Sequence, residues 1–220
     1  MMDILEVDSV ILEFGPKRVL QNIYLQSETG KVTGILGRNG SGKSCLMKIV
    51  FGEIIPFDKS IRINGISIHG AIRSPKDMRY LPQNRFMPRS LSIRKIFKDF
   101  KLDFSDFIEI FPEFKQYFHI ALRKLSGGER RVVEIYAILA SESKFCMLDE
   151  PFSQIMPIHI EKIKHLIQRE KKKKGIVITD HMYKHIIDIC DDLYVLANGK
   201  TNLTKSLNDI EMYGYAKRRE

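Results

Sequence analysis

The chain has 220 residues, 44% of them apolar and 29% charged, with a formal net charge of +9. That length and balance suit one globular domain with a good core, and no apolar run approaches the length of a membrane span. The positive charge favours acidic partners (nucleotide, nucleic acid or an anionic surface), while Cys45, Cys146 and Cys190 read as reduced core thiols of a cytosolic protein with no metal spacing.

Residues 2–14 alternate apolar and polar, Gly15-Pro16-Lys17 turns the chain, and residues 18–27 form a second strand. This is an antiparallel β layer leading into an α/β core. The first six residues carry acids and no basic leader, unlike a secretory signal. Phe14, before the turn, reads either as an ordinary core aromatic or as a ring that stacks on an adenine.

Residues 31–36 are an apolar, β-branched run that reads as a buried strand. It feeds Gly37-Arg38-Asn39-Gly40-Ser41-Gly42-Lys43-Ser44, the pattern G-x-x-x-x-G-K-S. Residues 45–51 then show helical spacing, with Gly52 as a stop. Strand, glycine loop and helix start are the context this motif requires. Glycines let the backbone curl with no Cβ in the way. Its N–H groups then converge on phosphate oxygens at the positive end of a helix dipole. Lys43 reaches the β- and γ-phosphates, and the Ser44 hydroxyl sits on Mg²⁺. The loop alone does not separate kinases, GTPases and motor ATPases.

Residues 61–68 read as a hairpin turning on Asn64-Gly65. Residues 78–83 are a short strand ending at Pro82 and Gln83. Residues 84–124 are rich in Phe, Lys and Asp at helical spacing, which predicts two or three short helices in an inserted lobe. Leu125-Ser126-Gly127-Gly128-Glu129 precedes a long amphipathic helix, with Ser126 as N-cap and Glu129 at capping-box spacing. Two glycines in a first turn are poor helix formers. They make sense if another molecule approaches the bare amides, a second phosphate contact separate from the first loop.

Residues 145–149 are a buried strand ending in Asp149 and Glu150. Carboxylates at such a tip lie where parallel sheets bind ligands. Asp149 suits Mg²⁺, and Glu150 stands free to polarise a water for attack on the γ-phosphate. Residues 157–174 predict a basic helix stopped by Gly175; its lysine run, residues 171–174, is either a solvated helix end or a partner-facing patch. Residues 176–181 form another strand whose tip carries His181, at the same sheet edge as Asp149 and able to donate to the γ-phosphate. A helix at 182–190, a strand at 193–197 with a turn at 198–200, and a short tail from about residue 202 close the chain.

Four separated motifs agree, and the chain resembles an ABC-type ATPase, the nucleotide-binding subunit of an ATP-binding cassette transporter. The most specific piece is residues 125–129, which resembles the family's signature sequence. The resemblance implies an α/β fold: a P-loop NTPase (RecA-like) core over about residues 1–83 and 125–205, with an antiparallel β subdomain. It implies a short inserted helical subdomain over about 84–124 and a tail over 206–220. It implies ATP and Mg²⁺ as cofactors. Residues 37–45, including Cys45, then contact the nucleotide, with Phe14 at the aromatic stacking position that is more often tyrosine. Glu150 matches the catalytic glutamate, Gln83 the Q-loop glutamine and His181 the switch histidine. Ser44, Gln83 and Asp149 would hold the metal. Two subunits, identical or different, would close head to tail, with Ser126, Gly127, Gly128 and Glu129 of one capping ATP held by the other. The expected partner is a separate membrane permease, with the chain cytoplasmic and peripheral on the inner face of the membrane, and no nucleic acid. Phe86, Met87 and Leu91 with Arg85 and Arg89 are the exposed candidates for a permease groove; the apolar three read equally as core.

Two positions depart from the family pattern. Met156 stands where the D-loop usually has aspartate, which puts coupling between the two sites in doubt. Cys45 replaces a hydroxyl with a weaker donor. The alternatives are a soluble ABC ATPase acting on nucleic acid or in assembly, and a hydrolysis-poor regulatory cassette. Within the family, residues 125–135 and 178–181 lean to the lipopolysaccharide-export and branched-chain amino-acid types.

Overall fold

The computed structural model describes residues 2–72 and 74–204. Among the described residues ten strands form two sheets. β1 (Ile4–Phe14), β2 (Lys17–Glu28), β4 (Asp58–Ile63) and β5 (Ile66–Ser67) make an antiparallel sheet in the order β2-β1-β4-β5. The second sheet has the order β10-β9-β3-β8-β7-β6 and is built from β3 (Val32–Leu36), β6 (Met78–Leu81), β7 (Phe145–Asp149), β8 (Gly175–Thr179), β9 (Asp192–Ala197) and β10 (Lys200–Thr204). Its pairs are parallel except for the closing β9–β10 hairpin.

The buried face of β1 changes phase partway along. Leu5 and Val7 point inward, then Val10 and Leu12 do. One extra residue is needed to move an alternating strand onto its other parity. Ser9 supplies it, with φ 54 and a break in the β1–β2 register beside it.

β3, β7 and β8 are buried on both faces and send alternate residues to two cores. Phe145 and Met147 join the antiparallel sheet and α1 (Lys43–Phe51) on one side. Cys146 and Leu148 join α4 (Gly127–Ala140) and α5 (Pro157–Glu170) on the other. This is the fully covered sheet expected of parallel strands.

Residues 84–124 fold as α2 (Ile93–Phe100), α3 (Phe104–Ile110) and two 3₁₀ turns. An aromatic cluster ties them to α4. Tyr136 stacks on Phe97 with ring centroids 5.7 Å apart, and Phe107 meets it edge-on at 4.8 Å. The lobe therefore hangs from the helix that begins at residue 127.

Four expectations need correcting. The basic helix ends at Glu170, and Gly175 opens β8 rather than stopping a helix. The lysine run is a solvated end only in part: Lys172 and Lys173 are exposed, and the other two are not. Lys174 is only 2% exposed and donates to the carbonyls of Leu139 and Ser141 at the end of α4, while Lys171 pairs with Asp191 at 2.8 Å and Lys173 with Glu170 at 3.2 Å. Bare carbonyls at a helix C-terminus attract such a cation. Met87 is not an exposed candidate: it is 6% exposed and belongs to the core, and Leu91 is half-buried, whereas Phe86 is exposed. The chain stays in strand through Thr204, past the point where a tail was expected; the tail at 206–220 lies outside the described residues. Cys146 is buried, Cys45 and Cys190 are half-buried, and none is paired. Among the described residues no helix is long and apolar enough to cross a membrane.

Candidate active site

The glycine loop leaves β3 and enters α1 through Gly42, the N-cap, whose φ of 105 favours a residue without Cβ. No side chain caps this helix start, so its first amides face the loop. Lys43 folds under the loop and donates to Gly37 O and to Arg38 O, the latter at 3.3 Å. Burial lowers its pKa, against the opposing pull of Glu150, Asp149 and Asp180.

The loop floors a cleft of about 410 Å³. Phe14, Val19, residues 39–45, Gln83, Glu150 and His181 line it. Four other segments of the chain thus meet the loop at one mouth. Phe14 is 55% exposed and is not a core residue. Cys45 is among the lining residues, and burial raises the pKa of its thiol.

Asp149 sits behind the loop with 0% exposure. A buried carboxylate needs partners at each oxygen. Oδ1 accepts from Thr179 Oγ1 at 2.7 Å and Ser44 Oγ at 3.2 Å, and Oδ2 accepts from the Tyr80 hydroxyl at 3.3 Å. Burial, with Asp149 adding to it, holds the Tyr80 hydroxyl protonated well above the usual phenol range. Glu150 follows in the left-handed region, φ 47, which points its side chain at the cleft mouth. There its Oε2 accepts from Gln83 Nε2 at 2.9 Å and lies 3.5 Å from His181 Nδ1. The carboxyl of Asp180, fully buried, accepts from Phe152 N at 3.1 Å and Met182 N at 2.8 Å, fixing the two loops beside Glu150 and His181.

Ser126, Gly127, Gly128 and Glu129 do not line this cleft. Gly127 lines a second, polar cleft of about 210 Å³ that shares Gln83 with the first. The capping box is formed: Ser126 Oγ accepts from Glu129 N at 3.2 Å, and Glu129 Oε2 accepts from Ser126 N at 2.8 Å. Gly128 also has a reason within the chain. A Cβ there would lie 2.8 Å from the carbonyl oxygen of Gln154, while one at Gly127 would meet nothing closer than 3.8 Å.

Sequence reading missed Tyr80, Thr179, Asp180 and Arg131. Tyr80 and Thr179 reach Asp149 because β6 and β8 flank β7, with Thr179 in register with Asp149. Only the strand order reveals that.

A glycine loop between strand and helix, with acids at the tip of β7 two strands along the same sheet, defines a phosphate-loop nucleoside triphosphatase. A family profile described as ABC transporter matches residues 20–153. The lipopolysaccharide export system ATP-binding protein LptB of Acidithiobacillus ferridurans is 31% identical over 226 residues, covering 96% of this chain and 93% of that one. LptB of Escherichia coli K12 is 32% identical over 203 residues, covering 83% of this chain and 82% of its own. A solved ATP-binding subunit of an ABC transporter superposes with a TM-score of 0.80 at 22% identity, covering 96% and 94% of the two chains. The chain belongs to the ABC transporter ATP-binding family: it binds ATP and hydrolyses it to power transport.

Proposed function

We propose that the cleft binds MgATP, that Glu150 activates the attacking water, and that the energy drives a permease carried on a separate chain. The observation that supports this most is the convergence on Glu150. Its carboxylate meets the Gln83 amide and the His181 ring at the mouth of a cleft floored by Lys43 and Ser44. In this reading the loop amides and Lys43 neutralise the triphosphate, and Phe14 stacks on the adenine. Ser44 and Asp149 offer hard oxygen atoms side by side, with Gln83 nearby, a donor set that fits Mg²⁺. The ion, when bound there, would supply positive charge against the negative charge of the triphosphate. Glu150 takes the proton of the water it orients, and His181 donates to the γ-phosphate. Ser126, Gly127, Gly128 and Glu129 of a facing cassette complete the pocket.

The relatives' name ties them to lipopolysaccharide export, and we carry over the coarser part, an envelope permease. Its docking helix would lie in the groove between β6 and the lobe, about 240 Å³, where Phe51, Arg79 and Phe86 are lining residues. Between Asp77 and Asp99 the chain carries six basic residues and no acid, so that helix should be acidic. The test of the base is Glu150→Gln: ATP affinity kept and turnover lost. Hydrolysis at the wild-type rate would overturn it.

A further inference from the structure

Arg131 lies one turn into α4, the helix that begins at Gly127 and carries the lobe through Tyr136. Its side chain is almost wholly buried, and its guanidinium is spread over three backbone carbonyls. Nη1 donates to Pro82 O at 2.9 Å; Nη2 donates to Asp149 O at 2.9 Å and to Glu150 O at 3.4 Å. Glu134 faces it at 3.6 Å and is 1% exposed. Those carbonyls belong to two segments that each lead into the cleft. Pro82 precedes Gln83, and Asp149 precedes Glu150. Glu150 holds a left-handed backbone, uncommon for a residue with a side chain, so something must fix it. A rigid planar fork with donors in set directions does this; a single ammonium does not.

Resting on the reading of Glu150 as the base, we infer that Arg131 is its positioning residue, setting from α4 the backbone on which Glu150 and Gln83 meet. The chemical link is direct. If α4 shifts against the sheet, the fork carries the carbonyls of residues 82, 149 and 150 with it. Glu150 Oε2 and Gln83 Nε2, now 2.9 Å apart, then lose their alignment. α4 also begins with the residues proposed to cap the facing copy's ATP. One helix therefore meets one triphosphate at its N-terminus and holds the base for the other, which links closure of one site to readiness of its neighbour.

A buried ion pair is weak evidence of a stabilising role, and removing one partner alone strands the other charge. The test separates the two effects with three variants, Arg131→Met, Arg131→Lys and the double Arg131→Met/Glu134→Leu. Each is measured for steady-state hydrolysis of MgATP, affinity for a fluorescent ATP analogue and thermal unfolding. A misplacement of about 1 Å costs on the order of 10²-fold in rate, so kcat of Arg131→Met should fall by about that factor. Analogue affinity should change by less than about threefold, because the ground-state contacts stay. Arg131→Lys should recover part of kcat through one carbonyl. The double variant should regain the unfolding midpoint and not kcat, and it gives the answer if Arg131→Met does not fold. Recovery of kcat together with the midpoint would overturn the inference, as would a loss seen only in affinity. Glu150→Gln run alongside keeps the outcomes apart. If it is inactive while Arg131→Met turns over fully, only the positioning role fails; if it turns over, the base assignment fails first.

Discussion

Gly127→Ala and Gly128→Ala should part in opposite directions. At Gly128 a new Cβ lies 2.8 Å from Gln154 O, inside contact distance, and the obstacle is backbone that has no rotamer to give. Overpacking of this kind costs about 1–3 kcal/mol, offset by at most about 1 kcal/mol from alanine's better helix propensity. At Gly127 the nearest atom is Gln154 Oε1 at 3.8 Å, ordinary contact, so the propensity gain stands with nothing against it. The two variants should therefore differ by about 1–3 kcal/mol, with Gly127→Ala the more stable. In a chain of this size each kcal/mol moves the thermal midpoint by about 2–4 °C, well within the reach of circular dichroism. Hydrolysis measured on the same samples gives the functional half. If the first turn of α4 caps a facing ATP, a methyl at residue 127 crowds that contact, and a more stable protein turns over more slowly. Gly128→Ala as stable as Gly127→Ala would refute the packing reason. Full hydrolysis by Gly127→Ala would refute the capping role.

Thr179→Val keeps the strand shape and removes the hydroxyl that donates to Asp149 Oδ1 at 2.7 Å. Unfolding in denaturant should show a loss of about 1–3 kcal/mol, the cost of an under-satisfied buried carboxylate; an unmoved midpoint would contradict that geometry. Lys43→Ala should lose nucleotide binding in a titration, and unaltered affinity would take the site away from the loop. Met156→Asp places a hydrogen-bond acceptor at an exposed position, where the family resemblance puts the D-loop aspartate. It should raise the Hill coefficient for ATP hydrolysis; no change there would show that Met156 does not limit coupling between two sites.

Much of this was readable in residue order because the chemistry is local. Residues 37–44 lie between a strand and a helix that read as such, and Asp149-Glu150 ends a short apolar run that reads as a buried strand. The capping box at Ser126 and Glu129 was equally local. What escaped depends on pairing. Thr179 and Tyr80 serve Asp149 only because β8 and β6 lie on either side of β7. Arg131 looked like one more charge on an amphipathic helix, yet it is buried against the sheet end. One lysine of the basic run escaped for a related reason. Lys174 is drawn inward by the carbonyls at the end of α4, which no periodicity within residues 157–174 announces. Gly128 has a packing reason against Gln154 that the residue order does not show.

The split pocket is tested most directly by sedimentation of Glu150→Gln with saturating ATP and magnesium, alone and with its permease or partner cassette supplied. Two cassettes sealed around trapped ATP should sediment together, twice the mass of one cassette, and fall apart when the nucleotide is removed. A cassette that never pairs with another under any of those conditions would contradict it.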